Sequence, residues 1–457
     1  MRTSRRKETE VKRGNRGQER TSTAAATDRK GLVLIGVLWI VVVLILIAFA
    51  LGRNSLLDSR VSLVRLEGLR CKWACRAGVE TAIGVLNDDL RPSDSLRDLW
   101  SENDVDFNDV ELEGCFFTVR VIDEAGKLNV NTATKEQLLA LPDMTEDVAD
   151  AIIDWRDEDE TPSAAGVEGG YYQNLRYGYE IRNGPFKTIR ELLLVKGVTE
   201  KLFYGEDTNF NGKLDYNEKD GDQSPPDDDR DDVLDKGWIA YLTCYSYDKN
   251  RDAYGNERVN INDADEGKLE ESLKIKKSYA KWIVENRPQE KYKTIADLIS
   301  DQSPAEPKKD SEEESEQAEP LDLETFYAIA DKITVKEEDK IIGRINVNTA
   351  PRAVLTALLG GGAPAQQLAD DIVTHRKTLI SGMQSIAEVM KVQSVNIGTF
   401  KKIAENITTR SDVFTIRCFA LANRAGYAGA GLQTEMVVDR DAKPCNIIYS
   451  YQGAGNR

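Results

Sequence analysis

The sequence contains a single histidine, His375, and this scarcity excludes several classes of enzyme and metalloprotein. A Ser-His-Asp triad needs a histidine beside its nucleophile, and multi-histidine zinc sites need more than one. His375 has no cysteines or clustered acids at ligand spacing around it, and it lies in a stretch with helical periodicity, residues 369–377. We therefore predict a partly exposed helix position for His375. No residue is assigned a catalytic role, and we expect a protein that is not an enzyme.

Cysteine is also sparse, and none of the six residues forms a C-x-x-C motif. The cysteines are Cys71, Cys75, Cys115, Cys244, Cys418 and Cys445. Their spacing does not decide which of them pair, if any. Cys71 and Cys75 are one helical turn apart, which favours two small buried side chains, so no redox chemistry is predicted.

Positive charge is scarce outside the N-terminal segment. The formal net charge is -17, but residues 1–31 carry ten Lys or Arg against four acids. That segment therefore holds +6 and the rest of the chain holds -23. A body with this charge would repel nucleic acid and anionic lipid over most of its surface. We expect no nucleic-acid partner.

Residues 31–52 form a run of 22 residues without one charged side chain, long enough to cross a bilayer as a helix. The basic segment before the run should stay in the cytoplasm, and the acidic body should lie on the other side. Apolar residues recur at helical spacing after the run, and proline is absent until Pro92. We predict that one amphipathic helix continues out of the membrane to about Leu90.

This segment has two ordinary interpretations, a simple signal anchor or a cleaved secretory signal with an A-x-A-like site at residues 48–50. The apolar run is longer than the ~7–15 residues usual for a cleaved signal. A third interpretation is a type IV prepilin leader, which Lys30-Gly31 followed directly by the apolar run resembles. Cleavage between Gly31 and Leu32 would then leave the helix on the mature chain. Major subunits of that type carry glutamate at the fifth mature position, where this chain has Gly36.

An internal repeat organises the body. An N-x-N-x-A motif occurs three times, each copy opens a helical pattern, and each is followed by a second helix ending in arginine. A hydroxyl residue with an acid three positions later then recurs. The N-x-N-x-A motifs span residues 129–133, 260–264 and 346–350, and the later motifs span 188–191, 294–297 and 385–388. The first and last of these later motifs match the capping box, as does Thr134 with Gln137, and they predict compact units of short capped helices.

The units differ in the segments inserted between their motifs. The first unit holds an extra segment within 157–183, and a second insertion spans 206–235. Residues 303–320 are acidic and contain proline, which is typical of a mobile linker.

The repeated units resemble helix-hairpin-helix or SAM-like modules, including those of competence-type DNA receptors. A DNA-binding hairpin presents backbone N–H groups to phosphate, usually through glycines that allow close approach. The matching turns at 141–145 and 274–277 contain no glycine, and 360–362 is glycine-rich but has no cation nearby before Arg376. A membrane-anchored DNA-binding protein remains the alternative hypothesis.

Alternating, β-branched or aromatic segments flank these units and predict strands at 115–123, 414–422 and 433–438, with 238–247 as a further candidate. The predicted fold class is α+β. It consists of a long N-terminal transmembrane and amphipathic helix on a small antiparallel pilin-like sheet, with inserted helical SAM-like or helix-hairpin-helix-like repeats.

Residues 207–218 match the twelve-residue EF-hand calcium loop at every specified position. Gly212 takes the sharp turn, Leu214 is the apolar position, and the remaining specified positions are oxygen ligands. The predicted ligands are Asp207, Asn209, Asn211, Lys213 through its carbonyl, Asp215 and Glu218. The flanking segments are too short for a full helix pair, so a structural calcium ion is favoured over a calcium sensor. A solvated acidic turn is the ordinary interpretation, and a second ion within 220–232 has weaker support.

The chain resembles the minor pseudopilin family called type II secretion system protein K. The resemblance lies in the order of its features: a prepilin-like leader, no glutamate at the fifth mature position, N-x-N-x-A units and C-terminal strands. The resemblance implies prepilin-peptidase cleavage between Gly31 and Leu32, methylation of the new amine, and a calcium ion in the helical region. It also implies assembly with minor pseudopilins I and J, the major pseudopilin and the inner-membrane assembly platform. The expected function is to cap the pseudopilus and help initiate it for export of folded proteins across the outer membrane. The expected location is a single pass through the inner membrane, with the N-terminus cytoplasmic and the body periplasmic.

These features divide the chain into predicted segments. They are a basic leader (1–31), a transmembrane helix (32–52), the helix continuation with the first strands (53–127), a first helical module with the calcium-loop insertion (128–236), a strand with a second module (237–300), an acidic linker (301–322), a third module (323–410) and C-terminal strands (411–457).

Overall fold

The structure is a computed structural model that describes residues 24–89, 92–207, 214–299, 317–422 and 429–454, with side chains from residue 31 onward. The chain divides into two compact units, Met1–Leu66 and Glu67–Arg457. The described part of the first unit is helical. The second unit contains the mixture of helices and sheet that the sequence predicts.

The described helices are short apart from the first. They are α1 (Ala24–Asp88), α2 (Asp104–Phe107), α3 (Lys135–Leu139), α4 (Glu146–Arg156), α5 (Gly169–Gln173), α6 (Glu200–Tyr204), α7 (Glu266–Leu273), α8 (Lys277–Glu285), α9 (Leu323–Ile329), α10 (Arg352–Leu358), α11 (Gly362–Thr378) and α12 (Ile397–Ile403). His375 lies in α11 and is partly exposed, as predicted.

The described strands include four long or moderately long ones and several of two residues. They are β1 (Val110–Leu112), β2 (Cys115–Asp123), β3 (Leu128–Asn129), β4 (Leu242–Thr243), β5 (Tyr247–Asp248), β6 (Val259–Asn260), β7 (Ile333–Thr334), β8 (Ile341–Ile342), β9 (Ile345–Asn346), β10 (Ile407–Thr408), β11 (Val413–Ala422), β12 (Gly431–Asp439) and β13 (Asn446–Ala454).

A five-stranded antiparallel sheet with the order β1-β2-β11-β12-β13 forms the first core of the second unit. In β2, buried and half-buried residues alternate along all nine positions, as the period of two requires. The buried side packs against the C-terminal part of α1, from Cys71 to Leu86. Strands β2 and β11 are adjacent although almost 300 residues separate them, so the helical units lie in the connection between them.

Gly78 allows α1 to approach the sheet closely. A Cβ atom at this position would lie 2.8 Å from both Cys418 Sγ and Val119 Cγ2, and 2.9 Å from Phe117 Cδ2. Real Cβ atoms do not approach other heavy atoms so closely. A larger residue at Gly78 would therefore push the helix away from the sheet.

The second Asn of each N-x-N-x-A motif has the same role in all three units. Its amide donates to a backbone carbonyl and accepts from the backbone N–H of the same distant residue, just before the capped turn. The pairs are Asn131 with Phe186 (3.0 and 2.7 Å), Asn262 with Tyr292 (3.0 and 2.7 Å) and Asn348 with Met383 (2.9 and 2.8 Å). The first Asn of each motif accepts the N–H of the second, which holds the turn in place.

The arginine at or near the end of the second helix of each unit also repeats its contacts. Its guanidinium donates to two backbone carbonyls of the N-x-N-x-A segment. The contacts are Arg156 to Val130 and Ala133, Arg287 to Ile261 and Ala264, and Arg376 to Val347 and Ala350. The motif therefore connects the start of each unit to the end of its second helix and to its capped turn.

Some local predictions were wrong. Residues 238–247 do not form one strand, because they contain a 3-10 turn (Trp238–Ala240) followed by the separate short strands β4 and β5. Helix α1 ends at Asp88, and Leu90 lies outside the described residues, as does most of the predicted linker.

The capping boxes also differ from the prediction in two units. The boxes form at Thr134, Thr188 and Thr294, the last with an aspartate as its acid. At Ser385 the hydroxyl caps Ala387, while the Glu388 carboxylate accepts from the Gln384 N–H. In the last unit, the Glu388 carboxylate thus accepts the N–H of the residue before Ser385, and the reciprocal bond of a capping box is absent.

Candidate functional site

The first candidate site is the apolar surface of α1. Among the described residues, Gly31–Asp88 is the one helix long and apolar enough to cross a membrane, with a mean hydropathy of 3.4 over its most apolar window. None of that window is buried. Gly31 and Leu32, the predicted cleavage pair, both lie in this helix, and the Leu32 side chain is 76% exposed. The helix thus presents an apolar surface suited to lipid or to other apolar helices.

Exposed apolar side chains continue along α1 beyond the uncharged run. Leu57, Val61 and Val64 follow the i, i+4, i+7 spacing of one helix face, and each is about half exposed. Asp58 and Arg60 lie between them in the sequence and Arg65 follows Val64, so charged residues accompany the apolar ones in this part of α1. A continuous apolar face of this kind is suited to pairing with another helix.

The second candidate site is the predicted calcium loop. Asp207, Asp215 and Glu218 are described, whereas Asn209, Asn211 and Lys213 lie outside the described residues. Helix α6 ends shortly before the loop, and a 3-10 turn (Tyr216–Glu218) closes it. These short flanking elements agree with an isolated loop.

Glu218 is the most informative predicted ligand that the structure describes. Its side chain is 1% exposed, and its Oε2 accepts the Asp215 N–H at 2.9 Å. Its Oε1 is buried and accepts no hydrogen bond from any described residue. Burial, together with the negative charges of Asp215 and Asp207, raises the pKa of Glu218 to about 7. A buried carboxylate oxygen aimed among other acids fits a cation, which would remove the electrostatic penalty.

Glu206 and Asp235 close the base of the insertion that carries the loop. The Glu206 N–H donates to the Asp235 carbonyl at 3.0 Å, and the Glu206 Oε2 accepts the Asp235 N–H at 3.1 Å. Gly205 pairs with Lys236 in an antiparallel bridge next to them. The insertion therefore leaves and re-enters the first unit at one point.

Carboxylates between residues 220 and 232 mostly contact their own loop. Asp220 accepts from the Ser224 hydroxyl at 2.6 Å, and Asp228 accepts the Gly221 N–H at 2.6 Å. Arg230 donates to the Asp220 carbonyl at 3.0 Å and thereby closes the same loop. These bonds stabilise the loop, and a second ion in this stretch stays a hypothesis.

Sequence reasoning missed a third acidic group, which lies in the insertion of the first unit. One carboxylate oxygen each from Asp157, Asp159 and Glu168 lies within 4.8 Å of the others. Both Glu168 oxygens and Asp157 Oδ1 are buried and accept no hydrogen bond within the described part of the chain. Burial and the nearby acids, of which Asp154 contributes most, raise the pKa of Glu168 to about 7. The Asp-x-Asp spacing was visible in the sequence, but the approach of Glu168 depends on how the insertion folds back.

Two regions of the chain match known families. Residues 121–204 and residues 345–410 each match a family described as type II secretion system, protein K. The first region contains the C-terminal end of β2 and the first helical unit. The second region contains the third helical unit.

Individual relatives agree with these matches. The type II secretion system protein K of Klebsiella pneumoniae is 25% identical over 195 residues, which is 38% of this chain and 60% of the relative. The match thus spans about three fifths of the relative's length. A chain in a crystal structure described as the GspK-GspI-GspJ complex of the enterotoxigenic Escherichia coli type 2 secretion system aligns with a TM-score of 0.44. That alignment has 13% identity and covers 85% of this chain and 98% of the other. Two separate regions of the chain and the curated relative thus show similarity to type II secretion system protein K.

Proposed function

We propose that this chain is a minor pseudopilin of a type II secretion system, which caps the pseudopilus and helps initiate it for export of folded proteins across the outer membrane. The observation that carries the proposal is the combination of two protein K regions with an N-terminal helix whose apolar surface is exposed. No chemistry on a substrate is required of such a subunit. Its work is done by binding neighbouring subunits.

The proposed partners are minor pseudopilins I and J, the major pseudopilin and the inner-membrane assembly platform. Helix α1 would contact them, because its apolar side chains have no cover from the described chain between Leu32 and Phe49. Prepilin peptidase would act first, between Gly31 and Leu32. The proposed topology places the basic N-terminal segment in the cytoplasm. The rest of the chain beyond the membrane, which carries the formal net charge of -23, lies in the periplasm.

The competing DNA-receptor hypothesis is not favoured, because both matched regions are described as parts of a secretion protein. The two hypotheses give different results with duplex DNA. A DNA receptor would retard DNA with an affinity that falls steeply with salt, whereas a pseudopilin body of this charge should show no retardation.

The decisive test is the N-terminus of the mature, membrane-extracted protein. Sequencing should begin at Leu32, and tagged protein should co-purify with two other prepilin-like proteins. A mature chain that begins at Leu51 would identify a cleaved secretory signal and overturn the proposal. A Gly31→Leu variant should keep the leader and lose both export of the secreted proteins and co-purification.

We also propose that residues 207–218 bind one structural calcium ion. The unpartnered, buried Glu218 Oε1 beside Asp207 and Asp215 supports this, as does the match of Asn209, Asn211 and Lys213 to ligand positions. When bound, the ion would neutralise these carboxylates and fix the insertion between α6 and the 3-10 turn.

Calorimetry on the full chain in detergent tests the calcium proposal. Wild-type protein should bind calcium and melt several degrees higher with calcium than with chelator. Glu218→Gln should lose most of that difference, because it removes the bidentate ligand. Asp222→Asn is the matched control, since Asp222 lies in the same insertion but outside the twelve-residue pattern. Equal melting with calcium and chelator, with no heat of binding, would contradict the proposal.

A further inference from the structure

Of the five cysteines in the core between α1 and the sheet, four lie on α1 and on strands β2 and β11. Cys71 and Cys75 are one turn apart in α1, while Cys115 begins β2 and Cys418 lies in the middle of β11. All four are at most 1% exposed. The prediction of two small buried residues in α1 was therefore correct, but it did not include their partners across the interface.

Cys71 and Cys115 are in direct contact. Their sulfur atoms are 3.8 Å apart, close to van der Waals contact, and the two residues are 44 positions apart in the chain. Cys75 is oriented differently, since its thiol lies 3.5 Å from the backbone carbonyl oxygens of Cys418 and Leu432. The Cys75 and Cys418 thiols also interact with each other, but each Cys75 contact above is to a backbone carbonyl, whereas Cys71 and Cys115 meet sulfur to sulfur.

A thiolate metal site does not explain this cluster. Such a site needs three or four ligand atoms close to one point. The described residues that bring three His, Cys, Asp or Glu ligand atoms within 4.8 Å of one another are two groups of carboxylates, and neither contains a cysteine. Two sulfurs in contact without a third ligand fit a disulfide better than an ion.

We propose that Cys71 and Cys115 form a disulfide that covalently ties the C-terminal part of α1 to the first long strand of the sheet. The inference rests on the periplasmic location given in the proposed function, because thiols are kept reduced in the cytoplasm. The link lies in the same unit as the sheet, beyond the apolar run of α1. It would fix the base of the helix that carries the assembly surface.

The oxidant is a dithiol-disulfide oxidoreductase or another donor disulfide. One cysteine thiolate attacks the donor disulfide and forms a mixed disulfide, releasing one donor thiolate. The second cysteine thiolate then attacks the mixed disulfide, the Cys71–Cys115 bond forms, and the donor leaves as its dithiol. The two cysteines lose two electrons and two protons, and the donor gains them. The bond from the Cys71 thiol to the Ala430 carbonyl, at 3.1 Å, is lost with the proton.

Oxidation must precede burial. In the folded protein, burial raises the pKa of Cys71 to about 12, and the hydrogen bond between the Cys71 and Cys115 thiols adds to that shift. The thiolate fraction in the folded protein is therefore very small, and exchange is slow. The pair should form as the chain emerges and then resist reductant until the protein unfolds.

Peptide mapping of the full chain tests the pairing. Cells are quenched with an alkylating reagent, and the membrane-extracted protein is digested with trypsin without reduction. Lys72 separates Cys71 from Cys75 after cleavage, so each cysteine is on its own peptide. We expect the Cys71 peptide linked to the Cys115 peptide, and neither residue alkylated before reduction. Alkylation of both cysteines in quenched wild-type protein would overturn the proposal.

A refolding arm distinguishes the two ways in which the proposal fails. Full-length protein is unfolded, reduced and refolded with oxidised glutathione. A link that forms in this arm but not in cells would show that the compartment, and with it the proposed function, is wrong. A link that forms in neither arm would show that the pairing is wrong.

Variants give an independent measurement. Cys71→Ala and Cys115→Ala should each lower the melting temperature by about 5 °C, and the double variant should lose no more than either single one. Reductant present during refolding should remove the effect. Cys445→Ala, which deletes a buried thiol of the same core, should leave the linked peptide intact. Additive losses in the double variant would contradict a shared bond.

Discussion

At the residue scale, the side chain of the second Asn of each N-x-N-x-A motif pairs with the backbone of a distant residue. Asn348 is 2% exposed and satisfies both the N–H and the C=O of Met383. A buried backbone group without a partner costs free energy comparable to the hydrogen bond it lost. The backbone N–H of Asn348 also donates to Asn346 Oδ1, which holds the turn after β9 in place.

We predict that Asn348→Ala lowers the free energy of unfolding by about 2–4 kcal/mol, because it leaves two buried backbone groups unpaired. Denaturant unfolding of the full chain in detergent measures the change. The equivalent Asn131→Ala should cost less, since Asn131 is half-buried and water can replace its bonds. Equal and small losses at both positions would contradict this role.

Glu168 is a second residue whose environment predicts a measurable effect. Burial and the neighbouring acids raise its pKa from the ordinary 4.5 to about 7. The folded state therefore holds this proton between those values, whereas the unfolded chain releases it. Its favourable contribution is present at low pH and is lost as the pH rises through about 7.

We predict that, in chelator, wild-type protein loses melting temperature between about pH 5 and about pH 8, and that Glu168→Gln loses less. The variant should melt a few degrees higher than wild type at the upper pH and about equally at the lower pH. Glu158→Gln, an exposed neighbour, is the control and should follow wild type. Parallel pH curves for wild type and Glu168→Gln would contradict the assignment.

At the element scale, the long helix and the sheet followed directly from periodicity, whereas residues 238–247 did not. That segment alternates like a strand, but Trp238 is buried in the helical core and donates its indole N–H to the Pro142 carbonyl at 2.8 Å. Packing of one large side chain thus favoured a 3-10 turn over extension. Alternation alone does not distinguish the two.

We predict that Val61→Asp in α1 reduces the co-purified partner pseudopilins by at least about tenfold, because a charge would be buried at a helix–helix contact. Val61 is 49% exposed and contributes little to the fold of the described chain, so melting should not change. Ser62→Asp, on the next position of the helix, is the control for added charge. Undiminished co-purification with Val61→Asp would place the partner contact elsewhere.

At the scale of the whole molecule, a buried ion cluster connects the second and third helical units. Asp248 is 4% exposed and contacts Arg258 at 2.8 Å and Arg344 at 3.5 Å, and it accepts from the Thr408 hydroxyl at 2.8 Å. These residues come from the segment before the second unit and from both ends of the third. Burial opposes ionisation of Asp248, but the arginines outweigh it and hold its pKa below its usual value.

We predict that Asp248→Asn lowers the free energy of unfolding by about 3 kcal/mol, because it removes the carboxylate shared by two buried guanidinium groups and leaves Arg258 with Asp331 and Arg344 with Glu405. Since the pKa is depressed in the folded state, this contribution is present at neutral pH and is lost as the pH falls below about 4. Asp441→Asn removes a carboxylate that is 45% exposed beside Lys249, and should cost at most about 1 kcal/mol. Chemical unfolding of both variants at neutral and acidic pH measures the difference.

The similarity to protein K also belongs to this scale, and the motifs that first indicated it are local in sequence. The three repeats were recognisable because Asn bonds to backbone two residues away, so the motif and its turn lie in one short segment. The uncharged run and the calcium spacing are local for the same reason. The SAM-like description and the segment boundaries stay predictions.

By itself, the sequence determined the features that depend on neighbouring residues, namely the apolar helix, the capped repeats, the strands β2, β11 and β12 and the spacing of the calcium loop. Only the tertiary structure decided which distant segments meet. The Cys71–Cys115 contact, the approach of Glu168 to Asp157 and the cluster around Asp248 each join residues that no periodic pattern relates. Periodicity reports which face of an element is buried, but the partner on that face is chosen by packing and charge across the whole chain.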